Sequence, residues 1–186
     1  MDPYDTTTKA RAQRAFENQL IENLVSSVGN SNSIDETWDL YDIAWKSLYD
    51  LSEFSLNDNV ERLQNYIAMV CITRVTQLYT PPEFNQTVTD VIADRPGILR
   101  QLNYELNTAM VSPMRTANIV WLRFLLKIIE SEITTQADVV SAAAAASVIM
   151  YNNGEEAMFG RTCWKGYTKV GMKNKSGRRV PNCVRK

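Results

Sequence analysis

The charges of this chain are segregated along the sequence, and this limits what its C-terminal part can fold into. Residues 161–186 carry nine Lys or Arg side chains and no Asp or Glu, whereas residues 1–160 carry eleven basic and twenty-one acidic side chains. A total net charge of −1 therefore combines an acidic segment with a strongly basic tail. Too few tail residues are apolar to form a core. We expect the tail to lie along nucleic acid, a neighbouring protein or an acidic surface.

The complete absence of histidine excludes several kinds of catalytic site within this chain. Because His is the commonest general base and transition-metal ligand, a Ser-His-Asp triad, a Cys–His pair and a His-containing zinc site are ruled out. The three cysteines, Cys71, Cys163 and Cys183, are too few for a four-cysteine zinc site. The phosphate-binding patterns G-x-x-x-x-G-K-[ST] and G-x-G-x-x-G do not occur either. We predict a protein that is not an enzyme and binds no cofactor.

No segment has the length and composition of a membrane span. The most apolar stretch, residues 139–151, is shorter than the uncharged run of about 18 residues that indicates a transmembrane helix. The first residues contain no apolar run of the kind found in a signal peptide. We therefore expect no stable membrane span and synthesis in a reducing compartment.

Helical periodicity and helix caps recur through residues 1–154. Apolar residues at four-residue spacing predict a first helix over residues 7–28. Ser33 and Glu36 have the S-x-x-E spacing of a capping box, which predicts the start of a second helix. The proline pair at 81 and 82 predicts the end of a third helix, because proline donates no backbone hydrogen bond.

The second half of this region contains further helix signals. Ser112 followed by Pro113 predicts a helix start, and the helix that follows is apolar over most of its circumference, which is typical of the centre of a bundle. An alanine-rich helix comes next and ends near Gly154. We therefore predict an all-α fold: residues 1–154 form a helical bundle of six or seven helices, and residues 155–186 form an extended basic C-terminal arm.

Acidic side chains share one face of the second predicted helix, and they are Asp35, Asp39, Asp42, Asp50 and Glu53. One interpretation is a metal or general-acid site. A second, which is the favoured one, is an ordinary solvated helix face. A third hypothesis is motivated by the segregated charge: this face is a receptor for the basic tail of a neighbouring copy or of another protein.

An aromatic stripe lies beside these acidic residues and consists of Trp38, Tyr41, Trp45 and Tyr49. Aromatic residues three and four positions apart bury large areas between helices, so the stripe predicts core packing rather than a ligand-binding box. Cys71 occurs on the apolar face of the third helix, where we predict a small core residue.

The tail interleaves aromatic and cationic side chains, and we expect the following residues to contact a partner: Trp164, Lys165, Tyr167, Lys169, Lys173, Lys175, Arg178 and Arg179. One alternative is that the rings stack on bases while the cations neutralise phosphates. The favoured alternative is docking on a protein, with the cations against acidic side chains. The third is a solvated tail without a fixed partner. Any such contact is sensitive to salt, because its charges are screened.

The string GYTKVGMKNKSGRRVPNCV, at residues 166–184, resembles a short basic ending found in proteins of large double-stranded DNA viruses and tailed phages. That ending has the approximate pattern G-Y-x-K-V-G-x-K-x-K-x-G-[KR]-x-V-P-N-C-V and occurs on virion components. The resemblance implies a minor capsid protein, assembled in the host cytoplasm, whose arm binds neighbouring capsid proteins and other copies of itself. The alternative is a nucleic-acid-binding virion protein that grips the genome through the arm.

Cys163 and Cys183 lie 20 residues apart in the tail and are able to close a disulfide loop in an oxidising particle. Closing a loop of that size stabilises the folded state by about 3 kcal/mol, because the disulfide restricts the unfolded chain. The alternative is two free thiols, which a reducing cytoplasm favours. Two cysteines without histidine make a poor metal site, so we predict no metal here.

Overall fold

The computed structural model describes residues 6–51, 60–108, 110–153, 167–175 and 178–185, the last two ranges as backbone. Its helices are α1 (Thr6–Gly29), α2 (Ile34–Leu51), α3 (Val60–Leu78), α4 (Pro81–Phe84), a π-helical turn (Asn85–Thr89), α5 (Asp90–Ile92), α6 (Arg95–Thr108), α7 (Pro113–Glu130) and α8 (Gln136–Asn153). Two strands follow, β1 (Tyr167–Lys175) and β2 (Arg178–Arg185). Because α4, the π-helical turn and α5 are continuous, the described ranges contain seven helical segments, and the predicted helical bundle is confirmed.

Side-chain caps begin two of the helices where the sequence predicts them. Before α2, the Glu36 N–H donates to the Ser33 hydroxyl at 3.1 Å. The Glu36 carboxylate accepts the Asn32 N–H at 2.8 Å, one residue earlier than the expected capping-box bond. Before α7, the Ser112 hydroxyl accepts the Arg115 N–H at 3.1 Å. Each cap stabilises its helix by about 1 kcal/mol.

The start of α4 is a feature that the sequence signals above do not predict. The Thr80 hydroxyl accepts the Glu83 N–H at 3.4 Å, and the Glu83 carboxylate accepts the Thr80 N–H at 2.8 Å. Pro81 is the first helical residue, where its missing N–H leaves no hydrogen bond unmade. The proline pair that ends α3 therefore also begins α4.

The centre of the bundle is formed by α3 and α7. Within α3 only Glu61 and Gln77 are exposed, and within α7 only Met114 and Glu130. Helix α3 packs against α1, α2, α7 and α8, while α7 also contacts α2, α5 and α6. The structure confirms the central position predicted for α7 and gives α3 the same role.

Polar side chains fix the directions of the helices around α3. The Gln136 amide of α8 donates to the Thr76 and Tyr79 carbonyls at the C-terminal end of α3, both at 2.9 Å. The Arg74 guanidinium donates to the Ser31 carbonyl just before α2 at 2.8 Å. Helices α2 and α8 therefore both begin beside the C-terminal end of α3 and run antiparallel to it.

Helix α1 spans the predicted residues, but only its C-terminal half joins the core. Ile21 and Val28 are buried, whereas Phe16, which continues the same apolar spacing, is 68% exposed. Apolar spacing identifies the inner face of a helix without indicating how far its neighbours extend. No helix in the described ranges is long and apolar enough to cross a membrane.

The substitution Tyr41→Phe tests the connection between α2 and α7. Tyr41 is 2% exposed, and its hydroxyl donates to the Pro113 carbonyl at 2.7 Å. Losing this bond should lower the free energy of unfolding in urea by about 1 kcal/mol, because a buried hydrogen bond disappears and almost no volume changes.

The matched control is Tyr104→Phe, at a ring that is 62% exposed. It should change the free energy of unfolding by less than about 0.5 kcal/mol, as surface substitutions usually do. Equal decreases in the free energy of unfolding of the two variants would contradict the role assigned to Tyr41.

Candidate functional site: the acidic face of α2 and the basic hairpin

The inner side of α2 is held in the core, and this fixes the orientation of its outer side. Tyr41, Ala44, Trp45 and Leu48 are all buried. The Trp45 indole N–H donates to the Thr116 hydroxyl of α7 at 3.0 Å. Burial raises the pKa of the Tyr41 phenol well above its usual value, so this hydroxyl remains a protonated donor.

The aromatic stripe is divided between the core and the surface. Tyr41 and Trp45 are buried, as the sequence predicts, and Trp38 is half-buried. Tyr49 is 54% exposed and stacks on Trp45 with ring centroids 5.6 Å apart. The core interpretation is therefore confirmed for the first two residues and is wrong for Tyr49, which lies near the C-terminal end of α2.

The outer side of α2 carries four of the five predicted acidic residues, and we call Asp35, Asp39, Asp42 and Asp50 the acidic face. Three of them are exposed and Asp42 is half-buried. Lys46 lies within this face, with its Nζ 2.7 Å from Asp42 Oδ2. The face therefore contains four carboxylates and one ammonium group, which is paired with Asp42. The fifth predicted member, Glu53, lies outside the described residues.

The acidic face is too extended to form one metal site. Asp35 and Asp39 are separated by about 6 Å along the helix axis, and Asp50 lies about 16 Å beyond Asp39. No group of three or more His, Cys, Asp or Glu side chains that could hold a metal occurs within the described ranges. The described part of the face therefore does not support the metal-site alternative.

Two large apolar side chains border the acidic face. Ile43 is 57% exposed and Tyr49 is 54% exposed. At 100° per residue these two residues lie on opposite edges of the arc that contains the four carboxylates. Sequence reasoning missed this surface, although an isoleucine directly after Asp42 interrupts the polar pattern and was available as a signal.

Strands β1 and β2 form an antiparallel pair, which we call the basic hairpin. Tyr167 lies opposite Arg185 at its open end, and Lys175 lies opposite Arg178 at its closed end. From Lys169 to Met172 strand β1 advances three residues while β2 advances two, which marks a β-bulge. The described part of the arm is thus paired with itself as two strands.

One face of the basic hairpin concentrates positive charge at the closed end. The register places Lys173, Lys175, Arg178 and Val180 on this face, since strand residues alternate between faces. Lys175 and Arg178 occupy directly opposite positions. Like charges at such positions destabilise a hairpin, and an isolated two-stranded hairpin is marginally stable in water. An anionic partner would therefore stabilise the basic hairpin.

The remaining arm residues predicted to bind a partner fall into two groups. Tyr167, Lys169 and Arg179 occupy register positions on the other face of the basic hairpin. Trp164 and Lys165 lie outside the described residues. The structure therefore brings Lys173, Lys175 and Arg178 together on one face and separates them from the other three strand residues.

The cysteines are placed differently. Cys71 is fully buried in α3, which confirms its prediction as a core residue, and burial raises the pKa of its thiol. Cys183 lies in β2 opposite Lys169. Cys163 lies outside the described residues, so the disulfide between Cys163 and Cys183 stays a prediction.

Comparison with protein-family models, with curated proteins and with solved structures finds no match for this chain. The resemblance of residues 166–184 to virion protein endings therefore stays a prediction from those residues. The physical basis for a functional proposal is the charge and geometry of the acidic face and the basic hairpin.

The substitution Lys175→Glu tests the opposed cations of the basic hairpin. It replaces a repulsion across the strands by an attraction to Arg178, and should stabilise strand pairing by about 0.5 kcal/mol. Slower amide exchange in β1 and β2, measured by NMR on the full chain, would report this gain.

The matched control for this change is Lys169→Glu, which alters the net charge equally but lies opposite Cys183. It should leave amide exchange in the strands nearly unchanged. An equal gain in the control would indicate that total charge, rather than the opposed pair, limits strand pairing.

Proposed function

We propose that this chain is a non-enzymatic structural protein of a virus particle, a minor capsid component whose basic C-terminal arm tethers it to neighbouring capsid proteins. The observation that carries the proposal is the combination of a helical body with a basic hairpin that follows it in the sequence. All the buried core residues among the described side chains lie between Ile21 and Met150. The arm carries the opposite net charge to this body, so an acidic partner suits it.

The physical basis of tethering is local concentration. An arm attached to a body that already occupies its position meets a nearby surface at high effective concentration, so modest contacts are sufficient to hold the subunit. The opposed Lys175 and Arg178 keep the basic hairpin marginally stable until an anionic surface neutralises them. Ordering of the arm is thereby coupled to assembly.

The resemblance of residues 166–184 to endings of virion proteins supports the viral setting and the location in the capsid. The charge of the body supports a protein partner over the genome. Residues 1–160 contain twenty-one acidic and eleven basic side chains, and such a body repels phosphate. Neighbouring capsid proteins with acidic surfaces are the partners that fit the arm.

The second candidate function is binding of nucleic acid through the arm. The clustering of Lys173, Lys175 and Arg178 at the closed end of the hairpin favours it, because three cations on one face suit a phosphate backbone. The two functions differ in their salt dependence. Binding to random DNA through three phosphate contacts should give a slope of log affinity against log salt of about −2.7.

A pull-down from disrupted virions tests the proposed function. The full chain should retain capsid proteins, and a chain that ends at Gly154 should lose them, because only the full chain carries the arm. The control is the full-length variant Lys173→Glu/Lys175→Glu/Arg178→Glu, which keeps the length of the arm and should also lose most of the capsid proteins.

Two outcomes would contradict this expectation. Capsid proteins that remain bound to the truncated chain would place the contact on the body instead of the arm. Recovery of nucleic acid in a complex that nuclease abolishes would favour the genome-binding alternative.

A further inference from the structure

The outward surface of α2 combines two kinds of group that a purely solvated helix face does not need. It has four carboxylates, of which only Asp42 is paired with a cation within the described ranges. It also exposes Ile43 and Tyr49 on the two edges of these carboxylates, at 57% and 54%. Large apolar side chains beside a charged stripe are typical of a surface that binds another protein.

The basic hairpin has the complementary combination at its closed end. The face that contains Lys173, Lys175 and Arg178 also contains Val180 and, further along β2, Val184. Three cations at the closed end and two valines along β2 therefore share one face of the hairpin. This face is opposite in charge to the outward surface of α2, and both surfaces include apolar residues.

One spacing of charges on the basic hairpin is close to one spacing on the acidic face. Lys173 and Lys175 are separated by about 6.7 Å along β1, since a strand rises about 3.3 Å per residue. Asp35 and Asp39 are separated by about 6 Å along α2. A strand that lies along α2 can therefore place Lys173 and Lys175 beside Asp35 and Asp39.

We infer that the acidic face of α2 is the docking surface for the basic hairpin of a second copy of this chain. This inference rests on the proposed function and names the partner of the arm. The contact joins two different surfaces and is therefore heterologous. Two copies can satisfy it by exchanging arms reciprocally, and larger numbers of copies can satisfy it in a ring. The charged groups steer the two surfaces together, and the apolar groups at the edges contribute burial.

The direction of α8 brings its C-terminal end beside the C-terminal half of α2. The rings of Tyr66 and Tyr151 pack 5.0 Å apart, which places the end of α8 beside the start of α3. The Gln64 amide donates to the Trp45 carbonyl at 3.4 Å, so the C-terminal half of α2 lies at this same end of the bundle. The arm therefore follows a helix that ends away from Asp35 and Asp39, which lie towards the opposite end.

Sedimentation equilibrium of the full chain at low and high salt tests this inference. The wild-type chain should self-associate at low salt and dissociate as salt rises. The variant Asp39→Lys/Asp42→Lys should raise the dissociation constant for self-association about tenfold, because two attractions at the surface become repulsions. The variant Lys173→Glu/Lys175→Glu should raise it by a similar factor. A chain that carries all four substitutions should have a dissociation constant within about threefold of the wild-type value.

The matched control is Asp90→Lys/Glu130→Lys, which changes the net charge as much as the α2 variant but at exposed residues on other helices. It should leave self-association unchanged, and far-ultraviolet circular dichroism should confirm that every variant is folded. A wild-type chain that stays monomeric at low salt would overturn the inference. The inference would also be overturned if the variant with all four substitutions did not regain self-association, or if the control lost self-association to the same extent as the α2 variant.

The pull-down from virions separates this inference from the proposed function. If capsid proteins bind the arm while the purified chain stays monomeric, the arm is a tether whose partner is another protein, and the inference alone fails. If neither capsid proteins nor a second copy binds the arm, the proposed function fails as well.

Discussion

The burial of α3 on nearly all sides is the constraint on which the rest of the structure depends. Helices α1, α2, α7 and α8 surround it, and only Glu61 and Gln77 remain exposed along its length. To cover α3, helix α2 must turn Tyr41, Trp45 and their neighbours inward. Its carboxylates then have only the solvent side available, so the acidic face is a geometric consequence of the core.

The segregation of charge between the body and the arm leaves the acidic face largely without neutralising cations. If the nine tail cations were distributed over the body, they would neutralise the acidic face locally through pairs such as the one between Lys46 and Asp42. Collected in the arm, they instead repel one another at opposed positions of the basic hairpin, as Lys175 and Arg178 do. The acidic body and the basic arm are thus each left with charge that a partner can neutralise.

The sequence predicted the features that depend on local chemistry. The caps at Ser33 and Ser112 occur as expected, because a capping bond joins residues only three positions apart. Features that depend on distant neighbours could not be predicted. Phe16 repeats the apolar spacing of α1 yet is 68% exposed, because burial depends on neighbouring helices that the spacing does not reveal. The pairing of β1 with β2 depends on register, which the glycine spacing of the tail indicates only as turns and extended pieces.

The most direct test of the account is zero-length carbodiimide cross-linking of an equal mixture of unlabelled and ¹⁵N-labelled full chains, followed by mass spectrometry. The reagent joins a lysine amine to a carboxylate only when the two are in contact. The account predicts cross-links from Lys173 or Lys175 to Asp35, Asp39 or Asp42 that join one labelled and one unlabelled peptide. Cross-links from these lysines that occur only within single copies, or only to carboxylates outside α2, would contradict it.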